Sequence, residues 1–378
     1  MKIAIASLGR FHVLDLAREL DRLGYDTRFY SYVRRKRAER FGLPVRSHRG
    51  LLQFVAPLVA WQEYAGSVMP GLRERAMAHA LDAAMKVRLE PCDVFICMSG
   101  MYLEAARHAR RRYGAQIWLE RGSRHILSQR AILARLGAAR GPSDFIVERE
   151  LAGYQLADRI VVPSSHVKES FAIEDAAISS KLLVNPYGVD LDQFPAQVDA
   201  SSVETPTAIF VGGWSRRKGV DILVEAVRRL DRVHLLHVGS LVDAPFPHDD
   251  PRFEHIEPVP QWRLAEFYSR AHVFALASRE DGFGLVLAQA LAMGLPLVCT
   301  TMTGGIDLAH SPELRKRIRV TEPDDPVAFA AALMEAFASV MKTGGLPPLH
   351  ETDRAQLSWE AYGRRYAEAL SQSLAQTT

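Results

Sequence analysis

Residues 278–296 read SREDGFGLVLAQALAMGLP. They follow Val273-Phe274-Ala275-Leu276-Ala277, an apolar run with the length of a buried parallel strand. Asp281-Gly282-Phe283-Gly284 has the composition of a turn, and residues 285–293 read as a helix closed by Gly294 and Pro296. Strand, glycine turn and helix start in that order aim unpaired backbone N–H groups at the neighbouring crevice, together with the positive end of a helix dipole. A diphosphate suits such a feature best. Asp281 stands at the helix entrance and Gln289 lies eight residues on. That is just over two turns, so both can edge one groove roughly 12 Å apart along the axis. The spacing leaves two readings open: a ligand held at both points, or an ordinary capped helix with a solvated Gln289.

The stretch resembles the signature of retaining glycosyltransferase family 4, enzymes of the two-domain GT-B fold that use nucleotide-sugar donors. The family pattern is a Glu opening E-G-F-G, a second Glu eight residues later, and then A-x-A-x-G-x-P. Gly282, Phe283, Gly284, Ala290, Ala292, Gly294 and Pro296 fit it, while Asp281 replaces the first Glu and Gln289 the second. Glu280 does not restore the spacing, because Ala288 lies eight residues beyond it. The resemblance implies that the first position binds hydroxyls of the transferred sugar and the second binds the ribose. Asp accepts sugar O–H groups from a shorter arm, and Gln bonds a ribose hydroxyl without charge. It also implies phosphates near Gly282 to Leu285. The implied fold class is α/β, GT-B, with two doubly wound Rossmann-like domains facing across a cleft.

Residues 207–211 read as a strand opening the second domain. Gly212-Gly213-Trp214-Ser215-Arg216-Arg217-Lys218-Gly219 follows, before a helix over 220–230. Glycines let a backbone approach anionic oxygens, and the cations supply counter-charge. The family pattern here is G-R-x4-K-G, its Arg and Lys clasping the diphosphate. Lys218-Gly219 fits, whereas Gly213 stands at the Arg position, leaving Arg216 or Arg217 to compensate. The Glu257-Pro258-Val259-Pro260 loop resembles the one that lines the nucleobase, with Val259 as its apolar contact. Thr303-Gly304-Gly305 is a further glycine turn that would border the phosphates through Gly304.

In the front half, residues 1–7 read as a strand, 8–12 as a turn and 14–23 as a helix, with a second strand over 25–32. By resemblance the turn approaches donor and acceptor, which makes Gly9 a donor contact and places Arg10 and His12 on the acceptor side. The family's His-Gly pair falls here on Arg121-Gly122, with His125 as the nearest imidazole. His125 is thereby a catalytic candidate, and Arg121 and Arg124 are acceptor-side cations suited to phosphate. Residues 158–165 resemble the last strand of the family's first domain, and 184–194 its interdomain crossing. We therefore expect domains at 1–187 and 188–357, with a terminal helix over 358–378 returning to the first.

The chain has 378 residues, 48% of them hydrophobic, which fits two globular domains. Cys92, Cys97 and Cys299 form no CxxC pair, so neither a disulfide framework nor a zinc site is implied, and a reducing cytoplasm fits. The opening apolar run is too short for a signal peptide. Residues 1–140 hold 25 Lys/Arg against 12 Asp/Glu, whereas residues 141–378 hold 22 against 32. A basic front half points to an anionic partner. Arg34-Arg35-Lys36-Arg37 precedes the apolar patch at 51–61, and together they could seat the chain on an anionic membrane. The alternative is a core segment beside a solvated face.

The sequence thus leads us to expect a retaining hexosyl-type transferase of bacterial surface-polysaccharide synthesis. Its catalytic candidates are Lys218, Arg217, Asp281 and His125. Its donor contacts are Gly9, Gly212, Gly213, Val259, Gly282, Phe283, Gly284, Leu285, Gln289 and Gly304. A UDP- or GDP-sugar serves as co-substrate, with no permanently bound cofactor, no metal and no nucleic acid. The acceptor is a glycan or lipid-linked molecule. A donor-binding relative without catalysis is the alternative, given that both family acids and one Arg are replaced. A nicotinamide oxidoreductase fits poorly, because no GxGxxG turn follows a strand.

Overall fold

The computed structural model describes residues 1–54, 56, 70–137, 141–196, 205–343 and 347–375. Among these, two all-parallel sheets carry the chain. The first contains β1 (Lys2–Ser7), β2 (Asp26–Ser31), β3 (His48–Gly50), β4 (Val94–Met98), β5 (Gln116–Glu120), β6 (Arg159–Val162) and β7 (Leu182–Val184), in the order 3-2-1-4-5-6-7. The second contains β8 (Thr207–Val211), β9 (His234–Val238), β10 (Phe253–Ile256), β11 (Val273–Leu276), β12 (Leu297–Thr300) and β13 (Ile318–Thr321), in the order 10-9-8-11-12-13. Each order reverses direction at its first strand, which opens a crevice at the carboxyl ends beside β1 and β8. The two doubly wound domains expected from the sequence are present.

Alternation along the first-sheet strands explains how both faces are buried. Ile3, Ile5, Val94, Ile96 and Trp118 pack on one side with the helices Phe11–Arg22 and Trp359–Ala375. Ala4, Ala6, Phe95, Cys97, Ile117 and Leu119 enter a separate core on the other. The terminal helix lays Trp359, Tyr362, Tyr366 and Leu370 onto the first domain at helical spacing. Its Gly363 admits close approach, since a Cβ there would stand 2.4 Å from that of Glu19. Val189 pairs with Ser358 as an isolated bridge where the chain crosses between domains.

Two sequence expectations need correction. The stretch at 8–12 is not all turn, because the helix already begins at Phe11 and places His12 in its first turn. The strand at 158–165 is not the last of its sheet. β7 pairs beyond β6, and a helix starts at Ser165. The apolar patch at 51–61 falls mostly outside the described residues, whereas Arg34 to Arg37 are exposed at the N-cap and first turn of the helix Arg35–Arg40. Among the described residues no helix is long and apolar enough to cross a membrane.

Candidate active site

The turns after β8 and β11 converge. Gly219 has φ +64°, and a Cβ there would stand 1.9 Å from the Ala277 carbonyl oxygen, so only glycine lets the basic turn lie on the end of β11. The Arg217 guanidinium donates to the Glu280 carbonyl and carboxylate, both at 2.9 Å. The Arg279 amide donates to the Arg217 carbonyl at 3.0 Å. Lys218 Nζ pairs with Asp281 Oδ2, both side chains being mostly buried. Burial by itself raises the Asp281 pKa. The Lys218 charge and hydrogen bond, together with Arg217 and the Phe283 amide, outweigh it and hold the carboxyl below its ordinary range.

Gly284, with φ +75°, opens the helix Leu285–Ala292, and no side chain caps it. Asp281 therefore serves Lys218 and the Phe283 amide just ahead of the helix, and the first helical amides at Leu285 and Val286 take no side-chain cap. Gln289 is 3% exposed and accepts from Tyr268 Oη at 3.1 Å, so the solvated reading fails. Phe283 is buried against the second glycine turn, where a Cβ on Gly304 would meet its ring at 2.2 Å. Gly212 has φ +141°, and its carbonyl approaches Gly239 closely. A Cβ on Gly213 would stand 3.0 Å from Val242, and Arg216 is exposed, so neither takes the place of the family's Arg inside the turn. Val259 is half-buried against the second-domain core. Among the described residues no three His, Cys, Asp or Glu are grouped to hold a metal.

The first domain closes over this arrangement. Ser164 Oγ donates to the Gly282 carbonyl at 2.6 Å, and His166 Nε2 to that of Asp281 at 3.0 Å. The Ser165 amide and hydroxyl both donate to Asp307 Oδ1, at 2.9 and 2.6 Å. Gly282 faces Gly122 so closely that a Cβ would lie 1.7 Å from the Gly122 oxygen. Arg10, in the turn with Gly9, reaches Gln261 at 3.1 Å, just beyond the Val259 loop, and lies over the Phe41 ring. His12 bonds Glu120 at 2.8 Å and stacks on Tyr187 at 4.2 Å, and the Tyr187 ring meets Phe283 edge-on at 5.5 Å.

Two first-domain expectations are corrected by their partners. His125 is 1% exposed and sits between Tyr154 and Phe171, its Nδ1 capping the helix Ile126–Arg135, so it is a core residue and not a catalytic one. Arg121 is buried and spent on Glu150, Gln129 and the Arg124 carbonyl, each within 3.0 Å, which leaves no reach for a phosphate. Arg124 differs. It crosses to Met302 Sδ at 3.3 Å and approaches His166, with no carboxylate partner among the described residues. Sequence reasoning missed Ser164, His166, Glu120 and Asp307 as site residues. Only the Ser164-Ser165-His166 run gave a local hint, since short polar side chains after a buried strand invite hydrogen bonds.

Burial, followed by the nearby Arg124 charge, pushes the His166 imidazole down to about 4 from an ordinary 6.5. The unfolded chain therefore gains a proton below about pH 6.5 that the folded chain refuses until about pH 4. Stability falls as pH drops through that window. Burial lowers His237 to about 4 as well, so the fall is shared. In His166→Gln the decline of Tm between pH 6.5 and 4.5 should be shallower than in the unaltered protein, and equal slopes would contradict the assignment. Gln289→Glu should change donor affinity by about threefold or more, because a carboxylate replaces the amide beside Tyr268. Calorimetry showing equal affinity would remove Gln289 from the donor site.

Residues 205–339 match the family model described as glycosyl transferases group 1. A D-inositol 3-phosphate glycosyltransferase from Xylanimonas cellulosilytica is 31% identical over 203 residues, 47% of this chain and 48% of that protein. The putative teichuronic acid biosynthesis glycosyltransferase TuaC of Bacillus subtilis is 26% identical over 210 residues, 52% of each. The chain thus spans about half the length of the curated relatives it matches. Sucrose-phosphate synthase from Thermosynechococcus elongatus superposes with a TM-score of 0.69 at 18% identity, covering 100% of both chains. Anabaena HepE, solved in complex with UDP and glucose, superposes with a TM-score of 0.63 at 16% identity over 98% of this chain and 99% of that one. Residues 205–339 are thus similar to the glycosyl transferases group 1, in a chain whose fold is GT-B.

Proposed function

We propose that the chain is a retaining family 4 glycosyltransferase of hexosyl type that takes a nucleoside-diphosphate sugar, UDP- or GDP-linked, as donor. The observation that carries this is the meeting of Lys218 with Asp281 at the uncapped start of the helix Leu285–Ala292. A cation, a carboxylate and free amides lie together at a strand end in a two-domain cleft. The diphosphate takes the amides and Lys218, and Asp281 turns to the sugar hydroxyls. Charge growing on the leaving diphosphate is met by groups already in place, so no reorganisation is needed as the bond breaks. The acceptor, a glycan or lipid-linked molecule, enters from the first domain. The setting is bacterial surface-polysaccharide synthesis at the inner face of the membrane, where the exposed Arg34 to Arg37 would meet anionic lipid.

A second reading, a donor-binding module without transfer, has one observation behind it. Gln289 is buried on Tyr268 instead of presenting a carboxylate. Incubating the protein with a panel of UDP- and GDP-sugars separates the two. Release of free nucleotide and sugar supports the transferase, because transferases leak donor to water. Binding of donor with no release over hours supports the module.

A further inference from the structure

A groove of about 780 Å³ lies between the domains beside the basic turn, a size that takes a small organic molecule. Ile132, Arg135 and Leu136 line it from the first domain, and Arg216, Pro245 and Met302 from the second. Arg279 lines it too, but is spent on Asp221 and Asp324 at 2.5 to 2.7 Å. Arg135 and Arg216 are exposed, and neither guanidinium has a carboxylate partner among the described residues; only the Arg216 amide meets an acid, Asp243 at 2.8 Å. Arg124 reaches the same place from inside. Its guanidinium touches Met302 Sδ at 3.3 Å and the His166 carbonyl at 3.5 Å, soft or long contacts that leave the charge unanswered. Its Nε is buried and takes no hydrogen bond among the described residues. Burial is the strongest influence on Arg124 and works against its charge, while the acid that opposes burial most, Glu280, is held by Arg217 at 2.9 Å. A guanidinium kept half dry without its own counter-charge costs free energy that an incoming anion returns.

We infer that this groove holds the phosphate group of a phosphorylated acceptor, with Arg124 at its floor and Arg135 and Arg216 at its rim. The acceptor role rests on the transferase reading. Guanidinium forks match phosphate oxygens in pairs, and three of them suit a doubly charged phosphate better than a single carboxylate. Arg124 and Arg135 belong to the first domain and Arg216 to the second, so an anion among them also ties the domains together. The apolar wall of Ile132, Leu136 and Pro245 takes the uncharged body of the molecule. Neither Lys218 nor Asp281 lines the groove, so the bound phosphate does not compete with the donor. The two sites are nevertheless adjacent. The Met302 carbonyl accepts the Asp281 amide at 3.0 Å, and Arg216 stands two residues before Lys218. A molecule in the groove is thus one backbone layer from the groups assigned to the donor sugar and diphosphate.

The test is calorimetry on the full chain saturated with UDP or GDP, which fills the diphosphate site first. The probes are glucose 6-phosphate and phosphatidylcholine vesicles carrying a polyprenyl phosphate, with glucose and plain vesicles as controls. Binding of the sugar phosphate marks a soluble acceptor and binding of the loaded vesicles a lipid-linked one; either supports the inference. Arg124→Gln should weaken the probe by about tenfold or more, with nucleotide affinity within about threefold. The double variant Arg135→Gln, Arg216→Gln should do the same, and because both side chains are exposed it folds whatever the fate of Arg124→Gln. Affinity should fall as salt is raised. A bound probe should also change nucleotide release from a UDP- or GDP-sugar by about threefold or more, because an occupied acceptor site either takes the sugar or shields it from water. No binding of either probe, unaltered affinity in the double variant, or unaltered release overturns the inference, and with nucleotide binding retained the transferase reading stands. Absence of both nucleotide binding and donor turnover in the unaltered protein overturns that reading and the acceptor role with it.

Discussion

Lys218→Ala should lower transfer by about 100- to 1,000-fold and weaken nucleoside diphosphate binding by about tenfold or more. The ammonium is the cation that the basic turn aims into the cleft, whereas Arg217 is committed to Glu280. Its loss also leaves the Asp281 carboxylate partly buried without its counter-charge, which adds to the cost. Lys218→Arg separates the two effects. It restores the charge to Asp281 but presents a planar fork in place of a point charge, so binding should recover further than rate. Calorimetry and initial rates on both variants check the expectation. Affinity and rate equal to those of the unaltered protein in Lys218→Ala would remove the diphosphate from this turn.

Gly282→Ala should separate binding from transfer. The added Cβ would lie 1.7 Å from the Gly122 oxygen and 2.6 Å from its carbonyl carbon, and no rotamer relieves a Cβ clash because the backbone fixes its position. The domains must part at this point. Parting breaks the Ser164 bond to the Gly282 carbonyl and the His166 bond to that of Asp281. Each domain keeps its own core, so nucleoside diphosphate affinity should stay within about threefold. A misplacement of roughly 1 Å between reacting groups costs about 100-fold in rate. Small-angle scattering should show a larger radius of gyration alongside that loss, and unaltered rates in the variant would show that the closure at Gly122 has no part in transfer.

The glycine turns could be read from the sequence because their signals are local. An apolar run, a glycine and an amphipathic run fix strand, turn and helix within a dozen residues, which is why β8, β11 and the helix Leu285–Ala292 were legible. β7 and β13 were not, since both are short and partly exposed, unlike the fully buried run of β11, and take their place only from the strands they pair with. Side-chain roles followed the same divide. Sequence places His125 near Gly122 but gives no sign that its ring turns inward onto Tyr154 and Phe171. Arg121 looks like a free cation until Glu150, 29 residues on, is folded against it. Glu120 gains its meaning from His12, 108 residues before it, and Tyr366, 246 after it, pairings that no local pattern encodes.

The most direct test of the account is a crystal structure of the protein grown with UDP or GDP. The account predicts the diphosphate between Lys218 Nζ and the amides at residues 283–285, with phosphate oxygens in hydrogen-bond reach of both and Asp281 facing the space where the sugar would lie. A nucleotide bound elsewhere, with the Lys218–Asp281 pair intact, would contradict it.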